Sequence, residues 1–226
     1  MKQILWFRRD LRINDSAILA YAKDEVLPIF IFDKNILDKL EKDDKRVTFI
    51  YESVLKLKED LKKSGLNLAI FYSTPKEVFE NFKNEGFDSI LCSVDFDNYA
   101  KKRDEEIAKI IPMQTFTDSF ITHPNDCLKA DKTPYKVFTP YYNNLKFIWD
   151  SYKLQEFETN KNLKLIPFDF DSTPTLENMG FIKQNLPQFL QKSADELLQD
   201  FEQKIDNYKI DRDFFDKNAT SSLAVH

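Results

Sequence analysis

The sequence predicts an α/β fold: a doubly wound, five-stranded parallel sheet with helices on both faces, followed by a connecting segment and the first helices of an all-α domain. Three observations support this prediction. Short apolar runs recur in the first 120 residues, stretches with a helical period separate them, and the alternation fades beyond residue 120. Parallel strands buried on both faces read as continuous apolar runs, and a right-handed crossover helix connects neighbouring strands.

The predicted strands are the runs richest in Ile, Val, Phe and Leu, at residues 4–7, 26–32, 66–72, 89–94 and 113–116. The predicted helices lie at residues 46–64, 75–85 and 98–111. The first helix repeats apolar residues at helical spacing from Val47 to Leu61, and we expect it to end at Gly65. The second begins with Pro75, which a first turn tolerates, and is expected to stop at Gly86.

The pattern predicts three segments: a sheet domain over residues 1–120, a connecting segment over 121–175, and the truncated start of a helical domain over 176–226. Prolines interrupt the connecting segment, but its many Tyr and Phe residues predict that it packs back on the sheet domain. In the last segment, Ser193 and Glu196 have the spacing of a capping box at a helix start.

Composition restricts the classes of function. The chain has 226 residues, 42% of them hydrophobic, and a formal net charge of −5, so it has material for a core but no overall positive field for nucleic acid or anionic lipid. Two cysteines and two histidines are too few for a disulfide framework or a zinc site, and no metal is expected. No apolar run suits a signal peptide or a membrane span. We expect a cytoplasmic protein without membrane contact.

Several common sites are excluded by the residues present. With three glycines in the whole chain, neither a GxGxxG loop nor a Walker A loop is possible. Neither histidine lies beside a convincing nucleophile, so no hydrolase triad is assembled locally and no catalytic residue is assigned.

Two charged clusters follow predicted strands. The stretch "WFRRDLR" places Arg8, Arg9, Asp10 and Arg12 directly after the first strand, and "SVDFDNYAKKRD" places Asp95 and Asp97, with Arg103 and Asp104 beyond them, after the fourth strand. One interpretation is ordinary surface ion pairs, each contributing less than about 1 kcal/mol. The other is a site for a polar planar ligand, because ligands bind at the carboxyl ends of strands in such sheets.

The segments that contain these clusters resemble the DNA photolyase and cryptochrome family. The resemblance rests on "ILWFRRDLRINDSAIL", "PIFIFDKNIL", "FDNYAKKRDEEI", "TPYKVFTPYYNNL" and "NYKIDRDFFDKNATSSL", which together extend over essentially the whole chain. It implies an N-terminal α/β domain that can hold an antenna chromophore and a helical domain that holds FAD and takes up a damaged pyrimidine dimer flipped out of DNA.

The resemblance also implies roles for individual residues. In members with a flavin or deazaflavin antenna, the matching pocket residues are Arg9, Phe30, Phe32, Asp95 and Asp97, whereas Arg8, Asp10 and Arg12 are expected to serve domain structure. A folate antenna is less expected, because Tyr99 and Ala100 replace the Asn-Glu pair of folate-using members.

A second set of residues matches the family's FAD contacts. These are Tyr208, Thr220 and Ser221, while Ala224 stands where a serine is usual. A simple helix N-cap is the alternative interpretation of "NATSSL", and both interpretations can hold together.

The function implied is that of the N-terminal portion of a deoxyribodipyrimidine photolyase, a lyase that uses FAD and light to repair pyrimidine dimers. The chain alone is expected to be inactive, because most of the FAD domain and of the DNA contacts are absent from it, and its uncovered apolar surface favours a homo-dimer. The alternatives are a cryptochrome-type photoreceptor and a non-catalytic flavin- or nucleotide-binding α/β module, for instance of the universal-stress or electron-transfer-flavoprotein type.

Overall fold

The strands of the protein form one parallel sheet. The computed structural model describes residues 1–120, 122–149 and 156–223. The strands are β1 (Lys2–Phe7), β2 (Glu25–Asp33), β3 (Ala69–Ser73), β4 (Ser89–Ser93), β5 (Met113–Phe116) and β6 (Lys164–Leu165). The first five are arranged in the order β3-β2-β1-β4-β5, and every described pair is parallel. The predicted five-stranded parallel sheet is therefore confirmed.

The sixth strand corrects the sequence prediction, which placed no strand in the connecting segment. Strand β6 pairs with Glu25 and Val26 at the start of β2, beyond the part of β2 that β3 covers. The backbone N–H of Lys164 donates to Asp24 and that of Ile166 to Val26. A strand of two residues has no detectable period, so only its hydrogen bonds define it.

The described helices are α1 (Ala17–Tyr21), α2 (Lys34–Leu37), α3 (Lys45–Lys63), α4 (Pro75–Lys83), α5 (Asn98–Ile107), α6 (Phe138–Trp149), α7 (Gln188–Gln191), α8 (Ala194–Glu202) and α9 (Tyr208–Asp211). The predicted helices correspond to α3, α4 and α5, with ends that differ by a few residues. The turn after α3 is closed by Gly65 at φ +84° and by the bond from the Leu66 N–H to the Leu61 carbonyl.

Helix α6 was not predicted, because Pro140 was interpreted as a break in regular structure. In the structure Pro140 is the third residue of α6. The first N–H groups of a helix have no intrahelical partner, so a proline in the first turn removes no helical hydrogen bond.

One face of the sheet contains an apolar core in which β1 and β2 pack against α4. Trp6 and Phe79 meet edge to face with ring centroids 4.8 Å apart, and both side chains are almost fully buried. Ile166, Phe168 and Phe170 of the connecting segment pack against the same cluster. The Lys58 ammonium of α3 donates to the Phe170 carbonyl at 2.5 Å. The segment therefore packs on the sheet domain, as its aromatic content predicted.

The chain divides into two compact units. The first contains Met1–Leu40 and the described residues of Ser53–Thr175; the second contains Glu41–Glu52 and the described residues from Leu176 onward. In the second unit Ser193 and Glu196 form the predicted capping box of α8, with the Glu196 N–H donating to Ser193 Oγ at 3.2 Å. Within the described residues, no helix is both long enough and apolar enough to cross a membrane.

Candidate functional site

The loops after β1 and β4 meet at the carboxyl edge of the sheet. Arg9 Nε donates to Asp95 Oδ2 at 3.0 Å, and Arg9 Nη2 donates to Asp97 Oδ2 at 3.1 Å. The structure thus brings together three of the residues that the sequence singled out. The Arg9 side chain is 68% exposed and that of Asp95 only 12%. An arginine has five N–H donors and these bonds engage two of them, so the exposed guanidinium can bind a further anionic or polar group.

Asp97 has a second task that fixes its position. It is the N-cap of α5, and its Oδ1 accepts from the Ala100 N–H at 2.8 Å. This backbone hydrogen bond, together with the nearby charge of Arg9, holds the pKa of Asp97 below its usual value. The carboxylate therefore stays charged at neutral pH and holds the Arg9 guanidinium in place.

Phe30 and Phe32 lie at the end of β2 on the face opposite Ile29 and Ile31, because successive side chains in a strand alternate. Their exposed fractions are 6% and 3%, and their rings meet edge to face at 4.9 Å. Core packing accounts for both side chains, and their chromophore-contact role stays a prediction.

The neighbouring residues of the "WFRRDLR" loop have structural partners. Arg8 Nη1 lies 2.8 Å from both carboxylate oxygens of Asp104, and the exposed fractions of these two side chains are 7% and 13%. The guanidinium carbons of Arg8 and Arg103 lie 4.9 and 4.8 Å from the Trp6 ring centroid. Arg12 Nη2 donates to the Asp15 carbonyl at 2.6 Å. These contacts agree with the structural role expected for Arg8 and Arg12.

Sequence reasoning missed two groups near this edge. Tyr99 donates its hydroxyl to Asp33 and accepts a hydrogen bond from Asn35 Nδ2 at 3.3 Å, and burial raises the pKa of Tyr99 to about 12. In the sequence Tyr99 indicated only that a folate antenna is less expected, although its position two residues after Asp97 also indicated that it would lie near this edge.

The second missed group is aromatic. Phe96, which lies between Asp95 and Asp97 in the sequence, has its ring centroid 5.4 Å from that of Phe120 and 5.0 Å from that of His123. Phe120 is 45% exposed. Exposed rings of this kind can stack on a planar ligand, so polar and aromatic contacts are both available close to the Arg9 ion pairs.

The residues proposed for FAD fall in the second unit. Thr220 and Ser221 line a small depression of about 70 Å³, together with Lys192, Asp200, Lys204 and Asn218 among other residues. Lys192 donates to Asp200 inside it. Tyr208 is not among the lining residues; its ring packs edge to face on Phe201 at 5.6 Å. Ala224 lies outside the described residues.

Comparisons with known proteins point to one family. Residues 3–159 match the family model described as DNA photolyase. The chain is 31% identical over 154 residues to a deoxyribodipyrimidine photo-lyase of Alkalihalophilus pseudofirmus, covering 61% of this chain and 31% of that protein. It is 35% identical over 98 residues to the blue-light photoreceptor PHR2 of Arabidopsis thaliana, covering 39% of this chain and 22% of that protein.

A solved structure agrees in fold over the whole chain. It is the archaeal photolyase of Sulfolobus tokodaii with two FAD molecules, described as implying a novel light-harvesting cofactor, and it matches with a TM-score of 0.80 and 26% identity. The match covers 100% of this chain and 51% of that one. The chain thus spans 31% of the length of the first photolyase and 51% of the length of the second.

Proposed function

The chain belongs to the DNA photolyase family, and from this membership we propose that its first unit is an antenna domain in which Arg9, Asp95 and Asp97 bind a flavin or deazaflavin chromophore. The observation that supports the proposal is the Arg9 guanidinium, held by two carboxylates but still 68% exposed. It can donate to chromophore oxygens, and the carboxylates can accept from ring or ribityl donors.

The residues present fit a flavin better than a folate. Phe96 and Phe120 offer aromatic faces beside the charged cluster, and Tyr99 is already bonded to Asp33. The presence of two FAD molecules in the archaeal relative supports a flavin at an antenna site of this chain also. When bound, the antenna would supply absorption of near-UV or blue light, and FAD would supply the electron that splits a pyrimidine dimer.

For the whole protein we propose light-driven repair of pyrimidine dimers in DNA, with Thr220, Ser221 and Tyr208 contributing to FAD binding. The depression at Thr220 and Ser221 has a volume of about 70 Å³, well below the roughly 300–1,000 Å³ typical of ligand sites. FAD is a dinucleotide and needs more enclosure than this. The 226-residue chain by itself is therefore expected to lack repair activity, and DNA would be bound mainly through other parts of the protein.

The alternative is a photoreceptor without repair activity, which the match to a blue-light photoreceptor favours. Light-dependent repair of a thymine-dimer oligonucleotide by the complete gene product would support a photolyase. Photoreduction of bound FAD without any loss of dimers would support the photoreceptor instead.

Replacing Arg9 with alanine is expected to weaken flavin binding at least tenfold, because it removes the exposed charge-assisted donors. The measurement is the near-UV and visible absorption and fluorescence of the purified chain titrated with FAD, FMN or a deazaflavin. Asp95→Ala is expected to act in the same direction, because it frees the guanidinium to move.

Arg46→Ala is the matched control. Arg46 is a 73% exposed arginine that pairs with Asp44, much as Arg9 pairs with Asp95. The control should bind like the natural chain. Equal binding by all three variants would place the chromophore elsewhere and refute the assignment of the site.

We also propose that the chain forms a homo-dimer through α6. Val137, directly before α6, is 63% exposed, and Phe138 and Phe147 within α6 are 73% and 84% exposed, which is unusual for large apolar side chains. Sedimentation at increasing concentration should show a dimer that Phe138→Ser with Phe147→Ser converts to monomer. A natural chain that stays monomeric throughout would refute the proposal.

A further inference from the structure

A buried polar cluster joins the ends of three strands beneath the "WFRRDLR" loop. Asp10 follows β1, Ser93 ends β4, and Asp118 follows β5. Ser93 Oγ lies 2.7 Å from Asp10 Oδ2 and 2.6 Å from Asp118 Oδ1. Asp10 is 3% exposed, Ser93 is 4% exposed, and the Asp118 side chain is completely buried.

The two short distances require two hydrogens, but a serine hydroxyl has only one. Both distances are typical of O–H···O hydrogen bonds. The Ser93 hydroxyl can donate to one carboxylate only, and it can accept from the other only if that carboxyl is protonated. Two ionised carboxylates would leave an oxygen facing an oxygen without a hydrogen between them, which is costly in a buried site.

The partners of each carboxyl indicate where the proton lies. Asp118 Oδ2 accepts from the Ala17 N–H at 3.0 Å and pairs with Arg12 Nη2 at 3.4 Å, so Asp118 is the carboxylate. Asp10 Oδ1 accepts from the Arg8 N–H at 2.9 Å, and its Oδ2 faces Ser93. Burial, reinforced by the negative charge of Asp118, raises the pKa of Asp10.

Other charged groups surround Asp10. Directly after β1, the Arg8 guanidinium favours ionisation of Asp10, but Asp104 of α5 neutralises that guanidinium through contacts with both of its carboxylate oxygens. On β4 Cys92 stays a neutral thiol, because burial raises its pKa to about 12. Arg103 of α5 contributes to the field at Cys92 and shares Asp104 with Arg8. Arg12 pairs with Asp118 rather than with Asp10.

We propose that the cluster of Asp10, Ser93 and Asp118 stores one proton at neutral pH, and that loss of this proton at alkaline pH loosens the loop that presents Arg9. Asp10 Oδ2–H donates to Ser93 Oγ, and Ser93 Oγ–H donates to Asp118 Oδ1. When the proton leaves to water, Asp10 becomes a second buried carboxylate and its bond to Ser93 is lost, which weakens the tie between β1 and β4.

The stored proton makes stability depend on pH with a known sign. The unfolded chain releases the Asp10 proton above about pH 4, whereas the folded chain retains it until its own, higher pKa. The stabilisation is therefore complete below the unfolded value and declines as the pH rises toward the folded value. Between these two pKa values the folding equilibrium constant falls about tenfold for each pH unit of increase, because the folded chain binds one proton more than the unfolded chain.

The test is Asp10→Asn, whose amide N–H can donate to Ser93 Oγ in place of the stored proton. The folding equilibrium constants of both chains are measured by urea unfolding at pH 6, 7 and 8. Relative to that of the variant, the constant of the natural chain should fall about tenfold for each pH unit of increase. Parallel pH profiles would refute the proposal. Asp44→Asn is the control, because Asp44 pairs with the 73% exposed Arg46 outside the cluster.

Infrared spectroscopy of the natural chain is a second test, and it does not require Asp10→Asn to fold. The folded natural chain at pH 7 should show the carbonyl stretch of one protonated carboxylic acid, and ¹³C labelling of aspartate should shift it. That band should persist in Asp44→Asn, which retains the cluster of Asp10, Ser93 and Asp118. Absence of the band from the natural chain would overturn the proposal.

Discussion

Asp104→Ala is expected to lower the free energy of unfolding by about 3–5 kcal/mol, the usual cost of removing one partner from a buried ion pair. Asp104 holds Arg8 Nη1 through both carboxylate oxygens at 2.8 Å and also accepts from Arg103 Nε at 2.9 Å. Arg8 is 7% exposed and Arg103 is 11% exposed, so both guanidiniums would remain buried without their carboxylate.

Urea unfolding at pH 7 measures this effect, and Glu59→Ala is the matched control. Glu59 pairs with Lys62 at 3.0 Å on α3, but the exposed fractions are 62% and 46%, so its loss should cost less than about 1 kcal/mol. Asp104→Asn separates charge from packing, because it keeps the shape of the side chain. Equal costs for Asp104→Ala and Glu59→Ala would mean that water reaches the Arg8 pair.

Phe79→Ala is expected to cost about 3–5 kcal/mol of unfolding free energy, because it opens a cavity in a close-packed core. Phe79 on α4 is fully buried, with Trp6 at 4.8 Å and Phe82 at 6.5 Å between ring centroids. The cavity would also remove the edge-to-face contact with Trp6, whose ring lies beneath Arg8 and Arg103. Phe79 therefore contacts the Trp6 ring directly, and Asp104 holds the two guanidiniums that lie over that ring.

Thermal and urea unfolding both report this effect, with Phe215→Ala as the control. Phe215 is fully exposed, and the same atoms removed there should change stability by less than about 0.5 kcal/mol. Trp6 fluorescence should also shift in Phe79→Ala, because water can enter beside the indole ring. A loss below about 1 kcal/mol would show that the core collapses around the missing ring.

Much of the sheet could be predicted because its strands are buried on both faces. β1 reads "KQILWF", and every residue after Lys2 is buried. In an α/β protein, a continuous apolar run of this kind next to an amphipathic helix indicates a buried parallel strand. Helix α6 and strand β6 could not be predicted in the same way. Helix α6 contains Pro140, which is compatible with a helix only because it lies in the first turn. Strand β6 has two residues, too few to show a period.

The candidate site was predicted in part. Arg9, Asp95 and Asp97 meet as expected, and Thr220 and Ser221 line one depression. The ring of Tyr208 packs on Phe201, and its contact with FAD stays a prediction. Phe30 and Phe32 have apolar side chains at a strand end, and the sequence could not tell whether they face a ligand or the core. That choice depends on what packs over the sheet.

By itself the sequence determined that apolar strands alternate with helices, and hence that "WFRRDLR" and the acidic residues after β4 share an edge, because the carboxyl ends of parallel strands lie together. Only the tertiary structure decided which guanidinium contacts which carboxylate. Arg9 reaches Asp95 across 86 positions, and Arg8 reaches Asp104 across 96. These choices, and the proton assigned to Asp10 rather than to Asp118, depend on distances and burial that no linear pattern contains.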